Sequence, residues 1–336
     1  MSWSLPTEDD WAAALAALQT SGELLLACHL NPDGDALGSA LALGMALRRA
    51  GRRVSVSFSE PFTVPDTLAH LPGQDLLVVP ADAPARPEVL VTFDTGSLDR
   101  LGDLADRVQP AGVVIVIDHH PSNTGYGHIH LIDTSAAATA VLVTQLIDRL
   151  GEPIDHDQAA CLYTGLSTDT GSFRYASTTP QVHQLAARLL ATGIRHDLIA
   201  RELYDTHPYA WVSLTGEIMS RATLESAVAG GLGLVWTYST VADLRSRDLG
   251  MDQVEGVIDV VRTAREAEVA AVYKELSDES WAVSLRSKGR IDVGRISVDL
   301  GGGGHRFAAG FTAHGSLDVA VKALRSALDT APHVSA

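Results

Sequence analysis

Three short apolar runs, each closing on an acid or a histidine, constrain this chain more than any other feature. Leu24-Leu-Leu-Ala-Cys28 leads into His29, with Asp33 and Asp35 just behind it. Val89-Leu-Val-Thr-Phe93 leads into Asp94, and Val113-Val-Ile-Val-Ile117 leads into Asp118-His119-His120. Continuous apolar runs of this length describe strands buried on both faces, as in a parallel sheet covered by helices. In an open α/β sheet, ligands bind outside the carboxyl ends of the strands, so the three polar ends are expected to converge. Any one of them alone reads as a cap or a hydrogen-bonded pair. All three together require a series of coincidences unless they form a site.

The intervening sequence supplies the helices such a sheet needs. Thr7 with Asp10 three residues on marks a helix start, followed by Trp11-Ala-Ala-Ala-Leu15 and closure near Gly22. Leu37, Leu41 and Met45 lead to Gly51 as a second helix, and Arg53 to Phe58 alternates as a strand, completing a βαβ unit. Residues 134–150, 157–166, 181–192 and 197–204 read as helices. Beyond Gly230-Gly231 the pattern changes. A strand is expected over 232–237, a helix over 251–265, paired antiparallel strands at 269–276 and 281–286 across the Ser277–Ser280 turn, and a last helix over 317–328. The expectation is an α/β chain: a mostly parallel-sheet catalytic domain over residues 1–190, a helical linker over 191–228, and a smaller α+β domain over 229–332.

Composition narrows the function. The formal net charge is -16 and the sequence pI about 5.1, which argues against a broad basic surface for long nucleic acid. A short charged substrate is not excluded, because bound cations would reverse the local sign. Cys28 and Cys161 are the two cysteines and form no CxxC pair, so neither a disulfide framework nor a zinc ribbon is expected. Met1 to Asp10 carries acids where a signal peptide has a basic stretch, and no apolar run approaches the roughly 18 residues of a membrane span. A cytoplasmic protein without a membrane partner is expected.

The spacing of the polar residues points to metal chemistry. In His29-Leu-Asn-Pro-Asp33-Gly-Asp35, Pro32 and Gly34 favour a tight turn that presents both carboxylates near one point. Crowded carboxylates raise one another's pKa unless cations neutralise them. Carboxylate and imidazole ligands without thiolate suit Mn²⁺, Mg²⁺ or Zn²⁺, and the carboxylate-rich mix leans toward Mn²⁺. Two ions sharing a carboxylate suit in-line hydrolysis at phosphorus. In the second half, Gly301-Gly-Gly-Gly304-His305 precedes Phe307-Ala-Ala-Gly-Phe311 inside a domain. There the glycines, among them Gly302, Gly303 and Gly304, would admit a close backbone approach to a phosphate or base. Arg286 and Ser287, at a strand end, would contact the same anion. His128 and His130 alternate on a possible strand and are read as structural.

These motifs together resemble the DHH phosphoesterase family with a DHH-associated C-terminal domain. The residues that carry the resemblance are His29 to Ser39, Asp94-Thr95, Asp118-His119-His120 and Thr168-Asp169-Thr-Gly171-Ser-Phe173 in the first half. Leu285-Arg-Ser-Lys288, Gly301 to His305 and Ala308-Ala-Gly310 carry it in the second. The branch it is most similar to comprises the oligoribonuclease and pAp (adenosine 3′,5′-bisphosphate) phosphatase proteins, some of which act on cyclic di-AMP or pApA. The resemblance implies two divalent cations, one held by His29, Asp33 and Asp94 and the other by Asp35, Asp94, His119 and Asp169. It implies that His120 faces the scissile phosphate, that Asp118 orients its neighbours, and that Arg286, Ser287, the glycine run and His305 hold the rest of the nucleotide. Arg174 is a further candidate for the phosphate. It also implies two lobes facing a cleft, and a homodimer. The activity implied is hydrolysis of 3′-O–P bonds in very short RNA, pAp, pApA or cyclic di-AMP. An inorganic pyrophosphatase, a RecJ-like exonuclease and a non-catalytic nucleotide sensor are the alternatives.

Overall fold

The computed structural model describes residues 3–332. The chain divides into two compact units, one ending at Thr206 and the other beginning at His207. The division falls inside the stretch 191–228.

In the first unit, α1 (Glu8–Thr20) precedes β1 (Glu23–Cys28), α2 (Gly34–Arg49), β2 (Arg53–Ser57), β3 (Val89–Phe93), β4 (Val113–Asp118) and β5 (Ile129–Ile132). After these come α3 (Thr139–Leu150), α4 (His156–Asp169), α5 (Pro180–Leu190) and α6 (His196–Ala200). The five strands pair in the order β2-β1-β3-β4-β5, every pair parallel. The unbroken apolar runs have a direct cause. Leu24, Leu26 and Cys28 pack into the core under the α-helices, while Leu25 and Ala27 pack into a second core on the opposite face with Leu90, Val114 and Val116. Each leucine so buried contributes about 1.5–3 kcal/mol. The Thr7–Asp10 capping box is present at the start of α1, and Pro180 occupies the first turn of α5 behind Thr179.

The helix expected from residue 134 begins instead at Thr139. Asp133 accepts the Ser135 amide at 2.8 Å and turns the chain, so the segment before Thr139 is not helical. The 197–204 helix ends early as α6 and widens into a π turn over Arg201–Asp205.

The second unit contains α7 (Tyr209–Ser220), β6 (Thr223–Glu225), the kinked turn α8 (Val228–Gly231), β7 (Leu234–Ser239), α9 (Val241–Arg245) and α10 (Val257–Val261). It continues with β8 (Val269–Ser277), β9 (Ser280–Ser287), α11 (Val293–Asp299), β10 (Gly303–His305), β11 (Ala308–His314) and α12 (Leu317–Thr330). Its sheet order is β10-β11-β9-β8-β7-β6, antiparallel except for the parallel β7–β8 pair. The β8–β9 hairpin stands where its alternation predicts. The single helix expected over 251–265 is broken into a 3-10 turn at Asp252–Val254 and α10, with Gly256 as the cap between them. Among the described residues, no helix is long and apolar enough to cross a membrane.

Candidate functional site

The polar groups of the first unit converge beyond the carboxyl ends of β1, β3 and β4. His29, Asp35, Asp94, Asp118 and His119 are all buried. Asp33 caps α2, its Oδ1 accepting the amides of Asp35 and Ala36 at 3.0 Å each. Capping turns Asp35 inward, where it is fully buried and accepts the amides of Thr139 and Ala140, at 2.5 and 2.8 Å. Asp94 follows β3 with φ of 54°, a left-handed conformation that a carboxylate residue adopts at a cost and that turns it away from the strand direction. Asp169 is the last residue of α4.

Asp94 is shared between a group centred on His29 and one centred on His119, and its Oδ1 also lies 3.4 Å from His120 Nδ1. In one, His29 Nε2 lies 3.9 Å from Asp33 Oδ1 and 3.6 Å from Asp94 Oδ2. In the other, His119 Nε2 lies 3.3 Å from Asp94 Oδ1, 3.1 Å from Asp169 Oδ2 and 3.9 Å from Asp35 Oδ2. The ligand atoms of His29, Asp33 and Asp94, and those of Asp35, Asp94 and His119, each fall within 4.8 Å of one another. The other ring nitrogens face main-chain carbonyls. His29 Nδ1 is 2.9 Å from the Leu30 carbonyl and His119 Nδ1 is 3.1 Å from that of Ala136. A carbonyl only accepts, so Nδ1 of His119 carries a proton; His29 Nδ1 faces both the Leu30 carbonyl and, at 3.3 Å, the donor Arg100 Nη2, and in both rings Nε2 is the atom turned to the carboxylates.

Charge in this cluster is balanced only by positive partners. Burial opposes charge on His29, yet Asp33 and Asp94 raise its pKa to about 10. Burial likewise opposes His119, but Asp169 and Asp94 drive it well above the usual imidazole value, and Asp94 and Asp118 raise His120 against the same penalty. Burial works to raise Asp94, but His120, His119 and His29 hold it well below the ordinary carboxylate range. Burial, reinforced by Asp169 and Asp94, pushes Asp35 well above that range, and burial raises Asp169 to about 6 against the pull of His119. Protons or cations must supply positive charge here. The donor set, carboxylate oxygens with imidazole nitrogens, fits one or two divalent cations of the Mn²⁺, Mg²⁺ or Zn²⁺ kind. The nearby Cys28 thiol is turned to the Ala36 carbonyl at 3.3 Å, and burial raises its pKa, so thiolate is not part of the set.

Asp118 faces its own loop. Its Oδ1 accepts the amides of His119 and His120 at 2.8 and 3.2 Å and His120 Nδ1 at 2.8 Å, while Oδ2 accepts Asn123 Nδ2 at 2.6 Å. His120 is thereby clamped, with its side chain one-fifth exposed. Two contributors were not visible in the sequence. Asn123 also donates to the Thr95 carbonyl at 3.3 Å, tying the β4 end to the β3 end, and the Thr139 hydroxyl donates to Asp94 Oδ1 at 3.1 Å. Only the start of an apolar helix after Ser135-Ala-Ala-Ala hinted at the second.

The remaining candidates have local roles. Arg174 is exposed and its Nε donates to the Gly171 carbonyl at 2.5 Å. In the second unit, Arg286 on β9 lies between Ala270 of β8 and Ala308 of β11, and its buried Nε has no hydrogen-bond partner among the described residues. The Ser287 hydroxyl is engaged with the buried Glu268 carboxylate at 2.9 Å. Gly303, Gly304 and His305 form β10 against β11. A Cβ on Gly304, whose φ is 132°, would lie 2.6 Å from Ala309 Cα, and one on Gly302 would meet the Phe311 backbone at 2.6 Å. These glycines are needed for strand to meet strand, a role the sequence reading did not assign them.

The N-terminal domain of the DHH family matches residues 23–166, and the DHHA1 domain matches residues 236–330. A bifunctional oligoribonuclease and PAP phosphatase NrnA of Thermus thermophilus is 34% identical over 297 residues, covering 88% of this chain and 85% of its own length. The chain belongs to the DHH family. A probable enzyme of the same name from Streptococcus mutans is 26% identical over 302 residues, covering 88% of this chain and 91% of its own. Among solved structures, an exopolyphosphatase-related protein from Bacteroides fragilis superposes with a TM-score of 0.85 at 25% identity, covering 97% of each chain. Thermus thermophilus RecJ in complex with Mn²⁺ shares the fold at a TM-score of 0.51 and 14% identity, over 95% of this chain and 54% of RecJ. This DHH chain is accordingly a hydrolase, and its α/β architecture is that of a DHH domain followed by DHHA1.

Proposed function

We propose that this DHH protein is a two-cation phosphoesterase that hydrolyses 3′-O–P bonds in very short nucleotides, with pAp and RNA of a few nucleotides as its substrates. The reading is carried by one observation: two groups of carboxylate and imidazole ligands that share Asp94. It is supported by similarity to proteins named as oligoribonuclease and PAP phosphatase. His29, Asp33 and Asp94 would hold one cation, and Asp35, Asp94, His119 and Asp169 the other, with Mn²⁺ the best fit. Bound there, the cations would supply activation of water and neutralisation of charge at phosphorus.

The chain's own residues do the rest. Asp118 accepts from His120 Nδ1 and, with Asp94, favours the charged ring, whose Nε2–H would donate to a phosphoryl oxygen. Arg286, with its unsatisfied buried Nε, and the β10 backbone from Gly302 to His305 would anchor the nucleotide away from the reacting phosphate. The Ser287 hydroxyl would act at one remove, bracing the strand end through Glu268. The acidic net charge of -16 disfavours long polyanions. The domains would be a catalytic one over 1–190, a linker over 191–228 and a substrate domain over 229–332; a homodimer in the cytoplasm completes the proposal.

The test is kcat/KM of purified protein with Mn²⁺ for pAp, di- to pentaribonucleotides, pApA, cyclic di-AMP, inorganic pyrophosphate and an RNA of about 20 nucleotides. The expected result is turnover of pAp and the shortest RNAs to 5′-mononucleotide, with the long RNA at least about tenfold slower, and loss of about 10³-fold or more in Asp94→Ala. Preference for pyrophosphate, or binding of nucleotide without turnover, would overturn the proposal.

A further inference from the structure

Helix α3 begins where two carboxylates of the centre end. Its first residue, Thr139, is fully buried. The Thr139 amide donates to Asp35 Oδ2 at 2.5 Å, the Ala140 amide to Asp35 Oδ1 at 2.8 Å, and the Thr139 hydroxyl to Asp94 Oδ1 at 3.1 Å. One residue therefore reaches one carboxylate through its main chain and the other through its side chain.

The hydroxyl is not needed to start the helix. The capping position is Ala138, which has no side-chain cap, and Asp35 satisfies the first amides. An ionised carboxylate only accepts, so the hydroxyl proton is committed to Asp94. Moreover, the oxygen it holds is the one 3.3 Å from His119 Nε2, while the other Asp94 oxygen faces His29 at 3.6 Å. The bond thus fixes which oxygen serves which half of the cluster. Outer hydrogen bonds of this kind orient ligating carboxylates, and losing one typically costs 10–100-fold in metal affinity.

We infer that Thr139 is a positioning residue of the metal centre, whose hydroxyl orients the shared carboxylate of Asp94 between the two ligand groups and thereby sets affinity for divalent cations. The inference rests on the two-cation reading of the cluster. It is tested by titrating metal-free full-length protein with Mn²⁺ and following free Mn²⁺ by electron paramagnetic resonance. Thr139→Val keeps shape and main-chain donors but removes the hydroxyl, Thr139→Ser retains it, and Asp94→Ala removes the shared ligand. The expected outcome is a Kd raised about tenfold in Thr139→Val and within about threefold of the parent in Thr139→Ser, with unchanged circular dichroism. Thr139→Ala replaces the valine variant if that one fails to fold. Parent-like binding by the hydroxyl-free variant overturns the inference, as does equal weakening in the serine variant, which would make the methyl group responsible. If Asp94→Ala also binds Mn²⁺ like the parent, the two-cation reading itself falls. If Asp94→Ala loses binding while Thr139→Val does not, only the role of Thr139 falls.

Discussion

Asp118, the first residue of the DHH run, spends both carboxylate oxygens on protein donors. Its contribution is to fix His119 and His120 relative to β4, and Asn123 is what fixes Asp118. Replacing Asn123 with leucine would leave a fully buried carboxylate oxygen without its 2.6 Å donor. The expected cost is about 1–3 kcal/mol of unfolding free energy. Steady-state kinetics should show kcat falling more than KM rises, since His120 loses its alignment while the second unit is untouched. Denaturant titration and initial rates check both, and an unshifted midpoint would count against the role. The acids and histidines at the strand ends were legible in the sequence because their chemistry is written in the residue type. Asn123 and Thr139 were not. Asn123 reaches Asp118 from within the same loop, where its side chain reads like that of any turn residue, and Thr139 acts through Asp94 and Asp35, 45 and 104 residues away, so no local pattern distinguishes it from a helix start.

At the level of elements, the decisive pair is α2 against α4. The start of α2 carries Asp35 behind its Asp33 cap, and the end of α4 carries Asp169, so the crossing of these helices sets how Asp35 and Asp169 meet at His119. Glycines make the approach possible: a Cβ on Gly38 would run into the Cys161 carbonyl, and one on Gly165 would lie 2.8 Å from Asp35 Oδ1. Gly38→Ala should destabilise the protein by about 1–3 kcal/mol, because a main-chain oxygen cannot rotate away, and should weaken Mn²⁺ binding as well. Gly216→Ala in α7 is the matched control. A Cβ there meets nothing within 4 Å, so helix propensity alone should stabilise by roughly 0.5–1 kcal/mol. Urea denaturation of the two variants should move in opposite directions. Strands β1, β3 and β4 were readable because burial on both faces makes them almost wholly apolar, Thr92 in β3 being buried and bonded to Tyr126. The segment after Met251 was not, since its apolar spacing continues from the 3-10 turn ending at Val254 into α10 starting at Val257, and does not show the interruption between them.

For the whole molecule, the candidate ligands His29, Asp33, Asp35, Asp94, His119 and Asp169 all lie before Thr206, in the first unit. Cation binding stabilises the state that holds the ligands together. Adding Mn²⁺ to the full chain should therefore slow hydrogen exchange in β1, α2, β3, β4 and the end of α4, and chelation should reverse it. The β7–β8–β9 core of the second unit, built around Leu234, Val269, Tyr273 and Leu285, should exchange at the same rate throughout. Mass spectrometry of deuterium uptake checks this, and protection confined to the second unit would contradict it.

That these six candidate metal ligands come from one unit has a consequence for inheritance. On the proposed division of labour, drift in the second half of the gene would change which molecules are handled without touching the reactive half. A lineage would thus acquire new clients while its chemistry is passed on intact.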